Sequence, residues 1–130
     1  MLACLQSTAR QRLGQCNNGR MQTPPQIVRL ADLTLGATEI YREFLRVPAL
    51  SLGLYRHAPG AAVPQQRHTE DEVYYLMAGT GKIKIAGQDH TVEAGAVVYV
   101  PAHVPHHFHS VTTELTVLVL FAPAEGSLAK

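Results

Sequence analysis

Charge is scarce and evenly balanced in this chain of 130 residues. Lys and Arg number 11 against 10 Asp and Glu, and charged residues make up only 16% of the sequence. With no basic excess to neutralise a phosphate backbone, nucleic-acid binding is disfavoured. No apolar run approaches the roughly 20 residues that cross a bilayer. The first residues also lack the charged and apolar regions of a signal peptide. We therefore expect neither a nucleic-acid nor a membrane partner.

Cysteine is also scarce. Cys4 and Cys16 are the two cysteines, and both fall within the first twenty residues. Their spacing matches no zinc ribbon or thioredoxin-like pair, and a disulfide between them would constrain only a tail. This pattern predicts ordinary reduced thiols in a cytoplasmic protein, with a redox or metal-binding role as the alternative.

The first 22 residues are predicted to form an N-terminal arm, separate from a domain over residues 23–130. Residues 1–20 show no clear apolar period, and Met21 is followed by a Gln-Thr-Pro-Pro sequence typical of the start of a compact protein. One hypothesis is that translation begins at Met21. The alternative is that the preceding residues pack on the domain or on a second subunit.

The remaining sequence favours an all-β domain. Hydrophobic residues reach 46%, enough for one core, and short β-branched runs recur about every ten residues from Ile27 onward. Gly79-Thr80-Gly81 is predicted to be a hairpin turn, and Val97–Val100 a strand buried on both faces. Many short strands with even turn spacing predict a sandwich or closed barrel. The expected strands are Ile27–Leu30, Ile40–Leu45, Leu50–His57, Val63–Gln66, Glu72–Ala78, Lys82–Ile85, His90–Val92, Val97–Val100, His106–Val111 and Leu115–Phe121.

Seven histidines are the unusual feature of the composition. Gln66 and His68 lie two residues apart, so on one strand they point to the same face. Glu72 begins the next strand and can turn toward the same space if that strand runs back beside the first. His106 shares a face with Phe108, and the histidines between and after them point the other way.

The spacing of these residues resembles two motifs of the cupin family. The first motif is Gly, five residues, His-x-His, three or four residues, Glu, six residues and Gly, and here a glutamine stands at the first histidine. The second is Gly, five residues, Pro-x-Gly, two residues, His, three residues and Asn, and here His103 and Ser110 replace the second Gly and the Asn. The matching positions are Gly60, Gln66, His68, Glu72 and Gly79 in the first motif, and Gly95, Pro101 and His106 in the second.

This resemblance implies a double-stranded β-helix, or jelly-roll barrel, that holds one divalent metal ion (Fe, Mn, Ni or Zn). The implied ligands are Gln66, His68, Glu72 and His106. Two imidazoles and one carboxylate form the ligand set that binds Fe(II) with open coordination positions. Gln66 could instead be a hydrogen-bonding neighbour or a bystander, and Gln65 could replace it if a bulge shifts the strand by one residue.

Two further residues are candidates for catalysis. Tyr74 follows Glu72 by two and shares its inward face, so it either fills the barrel or donates a proton near the metal. Arg56 lies in register with Leu50, Leu52 and Leu54. It either reaches the cavity mouth, where it would bind a carboxylate, or ends in solvent. Glu70 and Asp71 are expected to form a solvated corner.

The resemblance leaves several functions open. A metal-dependent enzyme acting on a small oxygenated molecule is preferred, with dioxygenase chemistry for iron or manganese and lyase or isomerase chemistry for nickel or zinc. The alternatives are a non-catalytic sensor or storage module for a metal or small ligand, and a structural barrel with an empty site. A homodimer is expected, formed through the early strand near Ile27 and the run Ile40–Leu45.

Overall fold

The first of two compact units spans residues 1–34. The computed structural model describes residues 16–17, 20–21 and 23–129, and the chain divides after Thr34, whereas the predicted arm ended at residue 22. Strands β1 (Cys16–Asn17) and β2 (Arg20–Met21) pair antiparallel. The strand expected at Ile27–Leu30 does not form: Ile27 is 94% exposed, and a 3-10 helix covers Leu30–Asp32. The hypothesis about Cys4, and most of that about the arm, lies outside the described residues.

The second unit, residues 35–130, is a barrel of antiparallel strands, which confirms the all-β prediction. The strands are β3 (Tyr41–Val47), β4 (Leu50–His57), β5 (Asp71–Ile85), β6 (Gln88–Glu93), β7 (Val97–Val100) and β8 (His106–Ala122). Their order in the sheet is β3-β4-β8-β5-β6, with β7 also paired to β5.

No helix among the described residues has both the length and the apolar character needed to span a membrane.

Two long strands, β5 and β8, connect the parts of the barrel. The sequence predicted each as two strands, and it predicted a turn at Gly79-Thr80-Gly81, but both strands are continuous. Register shifts near Gly79 bend β5. The φ of Gly79 is 96°, a value that glycine adopts without strain. Through this bend β5 pairs with β7 before Gly79 and with β6 after it. The glycines therefore mark a bulge within a strand.

The barrel interior is filled from alternate positions of the strands. Leu76, Leu115 and Val117 are completely buried, as the two-residue period of a strand requires. Strand β7 differs from its prediction, because only one of its faces is buried: Val97 is 67% and Tyr99 57% exposed. One face of β7 packs on the barrel interior, and the apolar side chains of its other face lie on the surface of the described structure.

Candidate metal centre

Three side chains from separate parts of the sequence converge inside the barrel. His68 precedes β5, Glu72 lies near its start, and His106 begins β8. Nε2 of His106 lies 2.8 Å and Nε2 of His68 3.8 Å from Oε1 of Glu72. One ligand atom from each residue lies within 4.8 Å of the others, a spacing that could hold a metal ion. The three line a cavity of about 200 Å³.

The contact between Glu72 and His106 tests whether the site fits a metal ion. Nδ1 of His106 lies 2.8 Å from the carbonyl oxygen of Val104, which holds a proton on Nδ1 and leaves a lone pair on Nε2 in the neutral ring. Nε2 of His106 and Oε1 of Glu72 are both buried and make no well-oriented hydrogen bond within the described structure. Two lone pairs this close repel each other unless a proton or a metal ion lies between them. The donor set therefore fits a divalent metal ion.

The two histidines titrate differently. Burial disfavours the charged form of His106, but the Glu72 carboxylate and the Val104 carbonyl outweigh burial and raise its pKa. The pKa of His68 is lowered, because burial and the nearby His106 outweigh the attraction of Glu72. Of the two rings, His68 is thus the more readily neutral and available to a metal.

Gln66 lies beside His106 and lines the same cavity. The two residues exchange both backbone hydrogen bonds, at 2.8 and 3.0 Å, in an isolated antiparallel bridge. Residues paired in this way carry their side chains on the same face. The expected strand Val63–Gln66 is reduced to this single bridge. The pairing favours Gln66 over Gln65 as the residue that faces the site.

Tyr74 also faces the cavity and belongs to the buried core. Its ring lies 6.0 Å from that of His106 and 4.9 Å from that of Phe108, both edge to face. Burial raises the pKa of Tyr74 well above its usual range, and the charge of the nearby Glu72 carboxylate raises it further. The phenol is therefore protonated at neutral pH.

Arg56 lies elsewhere, which corrects its predicted place at the mouth of this cavity. Its Nη2 donates to the carbonyl oxygens of Gly36, Ala37 and Glu39 at 2.8 to 3.2 Å. The inner face of β4 carries Tyr55, which does line the cavity. The prediction was out of register by one residue because β4 has leucines on its outer face.

Glu125 and Tyr41 line the cavity and were missed from the sequence. Oε2 of Glu125 lies 3.9 Å from Nδ1 of His68. Burial, followed by repulsion from Glu72 and other carboxylates, raises the pKa of Glu125. The Tyr41 hydroxyl is buried without a partner in the described structure, in the space that a side chain at Gly53 would need. Both residues come from parts of the sequence with no motif spacing to Glu72.

Glu70 corrects the prediction of a solvated corner. It is only 2% exposed, and its carboxylate accepts hydrogen bonds from the backbone N–H groups of Gly126 and Leu128 and from the Thr69 hydroxyl. These bonds lower the pKa of Glu70 although burial opposes them. The acidic corner therefore anchors the segment that follows β8.

His103 explains one departure from the expected motif. Its φ is 69°, in the left-handed region that favours glycine, and glycine is the residue usual at this motif position. Its backbone N–H donates to the carbonyl oxygen of His68 at 2.7 Å. The turn therefore forms with a histidine and ties the loop before β8 to His68.

Comparison with known proteins decides the family. Residues 53–123 match the cupin domain family. The chain belongs to the cupin family. Its antiparallel barrel is thus the double-stranded β-helix predicted from the motifs.

The chain is similar to an uncharacterised protein and to part of a lyase, and it shares its fold with a dioxygenase. The uncharacterized protein SCO3923 of Streptomyces coelicolor is 42% identical over 86 residues, 66% of this chain and 82% of that protein. Dimethylsulfoniopropionate lyase DddW of Ruegeria pomeroyi is 34% identical over 55 residues, 42% of this chain and 36% of the lyase. A salicylate 1,2-dioxygenase from Pseudaminobacter salicylatoxidans shares the fold with a TM-score of 0.60 and 18% identity, over 63% of this chain and 25% of the dioxygenase.

Proposed function

We propose that this cupin binds one divalent metal ion through His68, Glu72 and His106, with Gln66 as a fourth ligand, and catalyses a metal-dependent reaction of a small oxygenated molecule. The observation that carries the proposal is the convergence of His68, Glu72 and His106 in one cavity, with one ligand atom of each within 4.8 Å of the others. A divalent ion bound by two imidazoles and a carboxylate keeps open positions, and as iron or manganese it supplies dioxygenase-type chemistry.

The cavity walls restrict the substrate. Apolar and aromatic side chains surround the site, and no Lys or Arg lines the cavity in the part of the chain that the structure describes. Glu72 and Glu125 together balance the charge of a divalent ion. A substrate with one acidic oxygen and no further negative charge fits this environment. Tyr74, protonated beside Glu72, is placed to donate a hydrogen bond to that oxygen. The lining residues that form these walls are Ile40, Tyr55, Val63, Phe108, Val119 and Phe121.

Two other functions use the same site. The sequence similarity to a lyase supports lyase chemistry, in which the metal polarises a substrate oxygen without O₂. A non-catalytic sensor or storage module would bind the metal and a small ligand without turnover.

One experiment separates these functions. The purified protein is analysed for bound metal and then assayed for oxygen uptake with enolic, phenolic and thiol substrates, and without oxygen for cleavage of dimethylsulfoniopropionate. Oxygen uptake that requires iron or manganese supports the dioxygenase, and anaerobic cleavage supports the lyase. A metal-loaded protein that converts none of these compounds favours the binding module. A protein that takes up no divalent metal contradicts the proposal.

We also propose that the protein forms a homodimer in which the outer face of β5 and β7 packs on its copy. Tyr75 pairs with Val97 and Val73 with Tyr99, and three of these four side chains are 43 to 67% exposed. The centre of this face is apolar, and its one nearby charge is that of Asp71 beside Tyr99, so an identical face can pack on it. Sedimentation velocity should show a dimer that Tyr99→Lys dissociates and Thr91→Lys, on exposed β6, does not. A wild-type monomer at micromolar concentration would exclude the dimer.

A further inference from the structure

The backbone around Glu125 is fixed by three polar side chains. The N–H of Glu125 donates to Oγ of Ser51 at 2.9 Å, and Ser51 is completely buried. Nη2 of Arg46, an exposed side chain, donates to the carbonyl oxygen of Glu125 at 2.9 Å. Glu70 accepts the next N–H, that of Gly126, at 2.8 Å. Two contacts therefore hold Glu125 and a third holds Gly126, in a segment that follows the last strand.

The Glu125 side chain projects from this fixed backbone toward His68. Its Oε2 lies 3.9 Å from Nδ1 of His68, and both side chains are largely shielded from solvent, at 35% and 19% exposure. The other ring nitrogen of His68, Nε2, faces Oε1 of Glu72 at 3.8 Å. The imidazole therefore has the metal cluster on one side and the Glu125 carboxylate on the other.

We propose that Glu125 is the positioning residue for His68, accepting a hydrogen bond from its Nδ1–H so that Nε2 keeps its lone pair for the metal. This inference rests on the proposed metal site. Metal-binding histidines almost always donate their second ring N–H to a carboxylate or carbonyl. His106 already donates to Val104 at 2.8 Å, and Glu125 gives His68 the corresponding partner.

The contact closes by a small movement. The two atoms must approach by about 1 Å to reach hydrogen-bond distance, and we ascribe this movement to rotation of the Glu125 side chain on its anchored backbone. A cation on Nε2 makes Nδ1–H a stronger donor, so metal binding and the hydrogen bond favour each other.

Cobalt(II) affinity tests the inference. We expect Glu125→Ala to weaken Co(II) binding about 10- to 100-fold, the range for loss of a hydrogen-bond partner behind a metal ligand. Glu125→Gln keeps an acceptor oxygen and should recover part of the loss. Glu114→Ala, which removes an exposed carboxylate, is the matched control and should change affinity less than twofold.

Proton NMR of the Co(II) protein gives a readout that altered packing alone would not reproduce. Wild type should show two paramagnetically shifted, exchangeable imidazole N–H resonances. In Glu125→Ala the His68 resonance should be lost to exchange with water, and that of His106, bonded to Val104, should persist as an internal reference. Equal affinity and two persistent resonances in Glu125→Ala would overturn this inference alone. Failure of wild type to bind Co(II) would overturn the metal site itself.

Discussion

Glu72 and His106 illustrate how a single pair of residues can define a site. Each is 2% exposed, and a buried acceptor without a donor is costly, on the order of 1–3 kcal/mol. Here two such atoms face each other at 2.8 Å. A proton held between them would relieve this contact, and the Glu72 carboxylate accordingly raises the pKa of His106 although burial opposes it. A metal ion would replace that proton.

Replacing His106 should therefore remove the metal without unfolding the barrel. His106→Ala deletes one of three principal ligands, and we expect metal affinity to fall by more than about 100-fold, the upper range for changes behind a ligand. Far-ultraviolet circular dichroism should remain that of wild type, because His106 lies outside the hydrophobic core cluster. Inductively coupled plasma mass spectrometry measures occupancy, with the exposed His90→Ala as control. Full occupancy in His106→Ala would exclude it as a ligand.

Buried tyrosines should resist ionisation at alkaline pH. Burial raises the pKa of Tyr55 to about 12, and burial also raises the pKa of Tyr41 and Tyr74. Since these values exceed that of an unfolded tyrosine, about 10, their contribution to stability is complete below pH 10 and is lost as pH rises through the folded pKa values. Absorbance at 295 nm should show at least three of the five tyrosines still protonated at pH 11. Ionisation of all five in the folded protein below pH 11 would contradict their burial.

At the scale of elements, the bend in β5 determines where the strand changes partners. Gly79 and Gly95 have nearly the same φ, 96° and 95°, but a Cβ at Gly79 would collide with the backbone of Glu114 and one at Gly95 meets open space. A substitution at Gly95 therefore introduces conformational strain alone, whereas one at Gly79 adds a steric collision. Only Gly79 is needed for β8 to approach β5.

Alanine substitutions should show this difference. Gly95→Ala is expected to cost about 1–2 kcal/mol, the penalty of a left-handed conformation for a residue with a Cβ. Gly79→Ala adds displacement of β8 and should cost more than about 4 kcal/mol, or prevent folding. Urea unfolding measures both values. If both variants lost the same free energy of unfolding, the backbone of β8 at Glu114 would be able to move away without cost.

The segment after β8 depends on one residue, Glu70, whose carboxylate accepts hydrogen bonds from its backbone. Glu70→Gln keeps the size of the side chain but removes its charge and one of the two oxygens that accept hydrogen bonds from backbone N–H groups. We expect it to lower the free energy of unfolding by about 1.5–3 kcal/mol. Asp71→Asn is the matched control, since its side chain accepts one exposed hydrogen bond, from Ala102. If the two variants lose equal stability in urea titrations, Glu70 is no anchor.

Strand positions and metal ligands were predictable to different degrees. Leu50–His57 and Val97–Val100 have the predicted bounds, because turn residues flank both. The divided predictions for β5 and β8 failed because Gly79 interrupts the apolar pattern of β5 without ending the strand. Strand alternation and motif spacing predicted the cluster of His68, Glu72 and His106. Arg56 was misplaced because the leucines of β4 lie on its outer face and the inner face carries polar residues and a glycine, so alternation assigned the wrong face.

At the scale of the whole molecule, metal binding should stabilise the fold. The ligands come from the segment before β5, from β5 and from β8, so the cluster exists only in the folded chain. A metal at 100 times its dissociation constant should add about 2.7 kcal/mol to the free energy of unfolding. Urea titrations with and without metal measure this gain, and His106→Ala should abolish it. An equal gain in that variant would indicate binding elsewhere.

The pairing of β5 with β8 also has a kinetic consequence. The ladder begins at Ile85 and His106, where it closes a loop of about twenty residues, and ends at Asp71 and Ala122, some fifty residues apart. Proteins dominated by such distant pairings fold in milliseconds to seconds. Because Glu72 lies at the distant end of this ladder and His106 at the near end, the metal cluster is complete only when the whole ladder has formed, and a bound cation should leave the refolding rate almost unchanged and instead slow unfolding. Holding the metal would then extend the lifetime of the native state.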